Sequence, residues 1–102
     1  LKIPEKLVKK YERRIVNLHP SLLPKFGGKG MYGDKVHIAV LKSKEEFTGI
    51  TIHYVDEVYD NGEVIFQKRC NLDLNESLVS LREKIRIMEY EFFPKTIEKL
   101  LN

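Results

Sequence analysis

Three polar side chains, Asn17, His19 and Asp60, are of the types from which acyl-transfer chemistry can be built. Asn17 and His19 stand two residues apart in Ile15-Val16-Asn17-Leu18-His19, so an extended strand projects both from one face. An amide N–H suits a developing oxyanion, and an imidazole can act as acid, base or electrostatic donor near neutral pH. Asp60 opens the turn signal Asp60-Asn61-Gly62, which can hold its carboxylate against His19. Such a set suits acyl transfer to an amine, where the substrate amine attacks and no Ser or Cys nucleophile is needed. Spacing by itself leaves a structural reading open. A histidine before proline and an Asp-Asn-Gly turn are both common in sites without chemistry.

The elements that must position these groups follow from the hydrophobic pattern. Pro4 opens an expected short helix, Glu5 to Glu12, with Leu7, Val8 and Tyr11 at helical spacing. The Ile15–His19 segment is predicted to be a strand with a buried, parallel-sheet look, and Pro20 and Pro24 force an extended or turning path after it. Gly27, Gly28, Gly30 and Gly33 make a loop, and Asp34 is the expected N-cap of a helix through about Leu41. Thr51–Val55 and Val64–Cys70 read as β-branched and aromatic strands joined by the acidic loop Asp56–Glu63. Asn75 or Asp73 is expected to cap the last helix, whose stripe is Leu78, Leu81, Ile85, Met88, Phe92 and Phe93, with Pro94 as a kink or restart. No internal repeat or low-complexity segment interrupts this order.

Composition narrows the class. With 102 residues, 42% hydrophobic and 32% charged, the chain suits a single small domain. A net charge of +3, with Lys and Arg scattered among Asp and Glu, lacks the concentrated basic face of a nucleic-acid binder. No apolar run reaches the roughly 18 to 20 residues that span a bilayer, and Leu1–Lys10 alternates too evenly for a signal peptide. The lone Cys70, expected as a small strand residue, suits a reducing cytoplasm. His19, His37 and His53 lack ligand spacing with Cys or carboxylates, so no metal site is expected.

Three motifs, in order and spanning nearly the whole chain, carry a specific resemblance. Asn17-Leu18-His19-Pro20-Ser21-Leu22-Leu23-Pro24 looks like the signature of the folate-dependent formyltransferases. Thr51-Ile52-His53-Tyr54-Val55, followed by Tyr59-Asp60-Asn61-Gly62-Glu63-Val64-Ile65, resembles their second segment. Met88-Glu89-Tyr90-Glu91-Phe92-Phe93-Pro94 is similar to the closing motif of glycinamide ribonucleotide transformylases in particular.

The resemblance implies an α/β fold: the carboxyl-terminal part of a Rossmann-like formyltransferase, a mixed sheet with flanking helices. It further implies one catalytic domain over residues 1–102, as a fragment without the amino-terminal nucleotide-binding half. The implied activity is transfer of a formyl group from 10-formyltetrahydrofolate, as co-substrate, to the amine of glycinamide ribonucleotide in purine biosynthesis. Asn17 then steadies the formyl oxyanion, His19 stabilises the intermediate and aids proton transfer, and Asp60 organises the imidazole, a water and the reacting nitrogen. His53 matches a supporting family histidine, with a structural role as its alternative. Leu1, Ile3 and Val8 resemble apolar walls of the pterin pocket, and Val55, Asp56 and Asp60 its polar side. Glu89 matches the carboxylate that binds the ribose hydroxyls, and Arg86 lies one turn away, where a solvated helix charge is the plainer reading.

The chain departs from the usual pattern in Gly27–Gly33 and in Asn61-Gly62-Glu63, which replaces a frequent Gly-Gly-Pro. The loop around Lys29 lacks the spacing of a P-loop. Without the nucleotide-binding half, the chain is expected to bind glycinamide ribonucleotide poorly and to offer a sheet edge to that half or to a second copy. Methionyl-tRNA formyltransferase and formyltetrahydrofolate deformylase share parts of these motifs and rank lower. The deformylase reads His-His-Ser-Phe-Leu-Pro where this chain has His19-Pro20-Ser21-Leu22-Leu23-Pro24. An inactive fragment and a basic nucleic-acid module are readings of a different class.

Overall fold

Alternating side chains divide one antiparallel sheet into an apolar face and a hydrogen-bonded face, and the fold follows from that division. A computed structural model of the chain describes residue 4, residues 15–55 and residues 62–102. The expected helix Glu5–Glu12, the pocket residues Leu1, Ile3, Val8 and Asp56, and the carboxylate of Asp60 lie outside the described residues.

The architecture is α/β. Strand β1 (Val16–His19) is followed by helix α1 (Asp34–Ser43), strands β2 (Phe47–Tyr54) and β3 (Val64–Asn71), and helix α2 (Leu78–Leu101). The sheet order is β1-β2-β3. Among the described residues both pairings are antiparallel, including that of β1, whose apolar start read like a parallel strand. Asn17 faces His53 and His19 faces Thr51 across β1–β2, and Thr51 faces Gln67 across β2–β3. Directly opposed residues share a sheet face, so Asn17, His19, Thr51, His53 and Gln67 lie on one side. A β-bulge interrupts the β2–β3 register between Ile52 and His53, an irregularity of the kind found beside functional sites.

The opposite face carries Ile50 and Ile52, both fully buried. Ile50 joins Val36 and Val40 of α1 and Leu81, Ile85 and Met88 of α2 in the core, with Leu18, Cys70 and Phe92 packed against it. Phe66 meets Phe92 ring to ring at 5.3 Å. Each fully buried aliphatic side chain of this type contributes about 1.5–3 kcal/mol by leaving water.

Helix boundaries differ from the sequence reading in three places. Gly33, not Asp34, takes the N-cap position of α1, with φ 55. Asp34 is the first helical residue, and its carboxylate accepts two bonds from Arg82, Nε at 3.1 Å and Nη2 at 2.8 Å, which ties α1 to α2. The last helix is capped by Ser77 in a capping box with Ser80, rather than by Asn75 or Asp73. Asp73 instead closes the preceding turn, its N–H donating to Glu76 Oε1 at 3.0 Å. Finally, α2 continues through Pro94 as one 24-residue helix. Its buried face, with Thr96 donating to the Phe92 carbonyl at 2.8 Å, holds the helix where a lone proline would end it.

Candidate active site

The polar face of the sheet is where the chemistry collects. β1 delivers Asn17 and His19 two residues apart, as a strand with period two requires. Asn17 is exposed and His19 is buried.

His53, on β2, is buried, and its Nδ1 lies 2.8 Å from the Tyr54 carbonyl. A carbonyl can only accept, so Nδ1 carries a proton and Nε2 is the ring position left to accept. Asn17 fills that position, its Nδ2–H donating to His53 Nε2 at 3.3 Å. His19 is fixed in the opposite sense. Its Nε2–H donates to the Phe26 carbonyl at 2.8 Å, which places the ring proton on Nε2. The structure thus brings Asn17, His19 and His53 together on one face.

A buried network beneath these groups involves residues that the sequence reading passed over. Thr51 is fully buried between His53 and Gly49 on β2. Its hydroxyl donates to the Ser21 carbonyl at 2.6 Å and accepts from the Leu23 N–H at 3.0 Å and from Gln67 Nε2 at 2.9 Å. Ser21, also fully buried, donates to the Lys25 carbonyl at 2.7 Å. The signal that could have found them is parity: Ser21 follows His19 by two residues, and Thr51 precedes His53 by two.

The other expected site residues sit at the margins. Val55 is half-buried, and its N–H donates to the Ile15 carbonyl at 2.9 Å, extending the β1–β2 ladder toward the acidic loop. Glu89 is half-buried on α2, and burial pushes its carboxyl above the ordinary range. A carboxyl in that state gains from any hydrogen-bond donor brought to it. Arg86 pairs with Glu83 one turn before it and lies over the Tyr90 ring at 5.4 Å. Its guanidinium therefore faces Glu83 and Tyr90, with no described bond to Glu89. Among the described residues no group of three His, Cys, Asp or Glu could hold a metal ion, and no helix is long and apolar enough to cross a membrane.

Comparison with known proteins shows the family. The sequence model of the Formyl transferase family matches residues 1–97. The chain is 44% identical over 98 residues to the chloroplastic phosphoribosylglycinamide formyltransferase of Vigna unguiculata, covering 96% of this chain and 31% of that protein. It is 36% identical over 99 residues to the phosphoribosylglycinamide formyltransferase of Bacillus subtilis, covering 97% of this chain and 48% of that one. The crystal structure of phosphoribosylglycinamide formyltransferase from Bacillus halodurans superimposes with a TM-score of 0.88 at 38% identity, over 98% of this chain and 49% of that one. The chain thus spans about a third to a half of the length of these relatives. With a family model matched along nearly its whole length and an amide–imidazole face built on its strands, the chain belongs to the formyl transferase family.

Proposed function

We propose that this chain is the catalytic part of a phosphoribosylglycinamide formyltransferase, moving a formyl group from 10-formyltetrahydrofolate to the amine of glycinamide ribonucleotide in purine biosynthesis and one-carbon metabolism. The observation that carries the proposal is the Asn17–His53 bond beside His19, in a chain similar to enzymes of that name. In the reaction the amine nitrogen bonds to the formyl carbon, the bond from that carbon to the folate nitrogen breaks, and a proton passes from the amine to the folate nitrogen. Asn17 donates an amide N–H to the formyl oxygen as negative charge grows there. His19 stabilises that charge and assists the proton transfer, and Asp60 holds the imidazole and the reacting nitrogen. His53 supports Asn17.

Val55 and Asp56, with Leu1, Ile3 and Val8, are proposed to receive the pterin, and Glu89 the ribose hydroxyls, with Arg86 nearby. Residues 1–102 are proposed to act as one domain, with the nucleotide phosphate held by the family's amino-terminal half and the sheet edge open to that half or to a second copy. The setting is proposed to be the cytoplasm, with small molecules rather than nucleic acid or membrane as partners.

The test is to incubate the purified protein with 10-formyltetrahydrofolate and one acceptor at a time, supplying the amino-terminal half in trans where turnover is slow. Formylated glycinamide ribonucleotide is the expected product. Formylation of a tRNA, or formate release without any acceptor, would overturn the proposal in favour of the tRNA formyltransferase or deformylase reading.

A further inference from the structure

Gln67 is an exposed residue of β3, yet its side-chain amide turns back over β2 toward the buried network. Its Nε2 donates to the Leu23 carbonyl at 2.9 Å and to Thr51 Oγ1 at 2.9 Å. The Thr51 hydroxyl is then saturated, with its one donor on the Ser21 carbonyl and its two acceptor positions on Leu23 N–H and Gln67. Leu23 is held at both its N–H and its carbonyl. Beyond it, the Lys25 N–H donates to the Leu22 carbonyl at 3.1 Å and the Ser21 hydroxyl to the Lys25 carbonyl, closing the turn. The next residue, Phe26, supplies the carbonyl that receives His19 Nε2–H. Phe26 has φ 56, a left-handed conformation that a non-glycine residue keeps only when its surroundings impose it.

We infer that Gln67 is a positioning residue for His19, acting through Thr51 and the Ser21–Phe26 turn. Strand β2 separates it from the imidazole, so it touches no reacting atom. Its two N–H groups hold the turn against the sheet, the turn aims the Phe26 carbonyl, and that carbonyl decides which ring nitrogen of His19 carries the proton. The inference rests on the proposed role of His19 in formyl transfer, but the geometry it describes can be read without any turnover.

The test compares Gln67→Met, which keeps the length and removes both donors, with Gln67→Lys, which keeps a donor. Gln67→Glu is a second donor-deleting variant, in case the first fails to fold. Nitrogen-15 spectra of the His19 imidazole above neutral pH are expected to show the Nε2-protonated tautomer in the native protein. Both donor-deleting variants should show a mixture of tautomers, and Gln67→Lys should restore the native form. Formyl transfer should follow, with kcat about tenfold lower in Gln67→Met and KM for the folate donor within about twofold of native. A folded donor-deleting variant with the native tautomer overturns the inference. If the native protein transfers no formyl group, the spectra still decide the positioning, and it is the proposed function that fails.

Discussion

Asn17 and His53 are direct cross-strand partners, and the Asn17 amide donates to His53 Nε2 at 3.3 Å while His53 Nδ1 is engaged by the Tyr54 carbonyl. One N–H of Asn17 is thereby fixed, and the second can be offered to a substrate oxygen from an exposed side chain. We predict that His53→Phe, which keeps a ring but removes the acceptor, lowers kcat for formyl transfer about tenfold. Steady-state kinetics check this, and native kcat in a folded His53→Phe protein would show that Asn17 needs no such partner.

His19 and Asp60 carry the proton and charge handling in the proposed reaction. In the complete enzyme, His19→Ala or Asp60→Asn is expected to lower turnover at least about a hundredfold. Near-normal turnover in both variants contradicts the assignment.

Glu76 links the end of β3 to α2. Burial opposes its charge, but Lys84, the Ser80 hydroxyl and the Asp73 N–H hold the carboxyl down at about 2, against an ordinary value of 4.5. A depressed carboxyl contributes stability that is fully present above pH 4.5 and is lost as pH falls through about 2. Glu76→Gln should therefore cost about 1–3 kcal/mol near neutral pH and flatten the acid limb of the stability curve. Denaturant midpoints measured across that range supply the check.

Gly49 lies in the middle of β2, where an added Cβ would stand 2.0 Å from the Lys68 carbonyl oxygen and 2.8 Å from Leu22 Cδ2. The first neighbour is backbone and cannot swing aside. Gly49→Ala is predicted to destabilise by about 3 kcal/mol or more through overpacking and displacement of β3. A chemical-denaturation midpoint within error of native would disprove this.

Cys70 sits half-buried in β3, and burial pushes its thiol up. A protonated, screened thiol reacts slowly. Cys70→Ser should leave kcat within about twofold of native, and the native thiol should label slowly with a thiol reagent at neutral pH. A large loss of turnover would give that strand a role the proposed mechanism lacks.

Much of this geometry was legible in the residues because strands have period two. Asn17 and His19 read as same-face neighbours and the β-branched run around His53 read as a strand, but that His53 stands beside Asn17 was implied only by the family resemblance and is set by the β1–β2 register. What the residues could not reveal was long-range or depended on backbone partners. Thr51 and Gln67 act on carbonyls and on each other across 16 residues, and no local pattern records that. Asp34 resembled a cap, but Arg82, 48 residues away, takes its carboxylate. Ser77 outcompeted Asn75 and Asp73 because Ser80 reciprocates its hydrogen bond. Pro94 read as a kink or restart, yet α2 runs on through it, with Met88 and Thr96 buried and the Thr96 hydroxyl donating to the Phe92 carbonyl.

The division of the sheet into a greasy side and a wired side has an engineering consequence. Val36, Val40, Leu81 and Ile85 form the core of the greasy side, and Phe26, whose carbonyl receives the His19 N–H, packs against that core, so a repacked set must keep the volume that Phe26 meets. Thermal robustness can therefore be evolved behind the strands with Phe26 held fixed, as the point where the two sides meet.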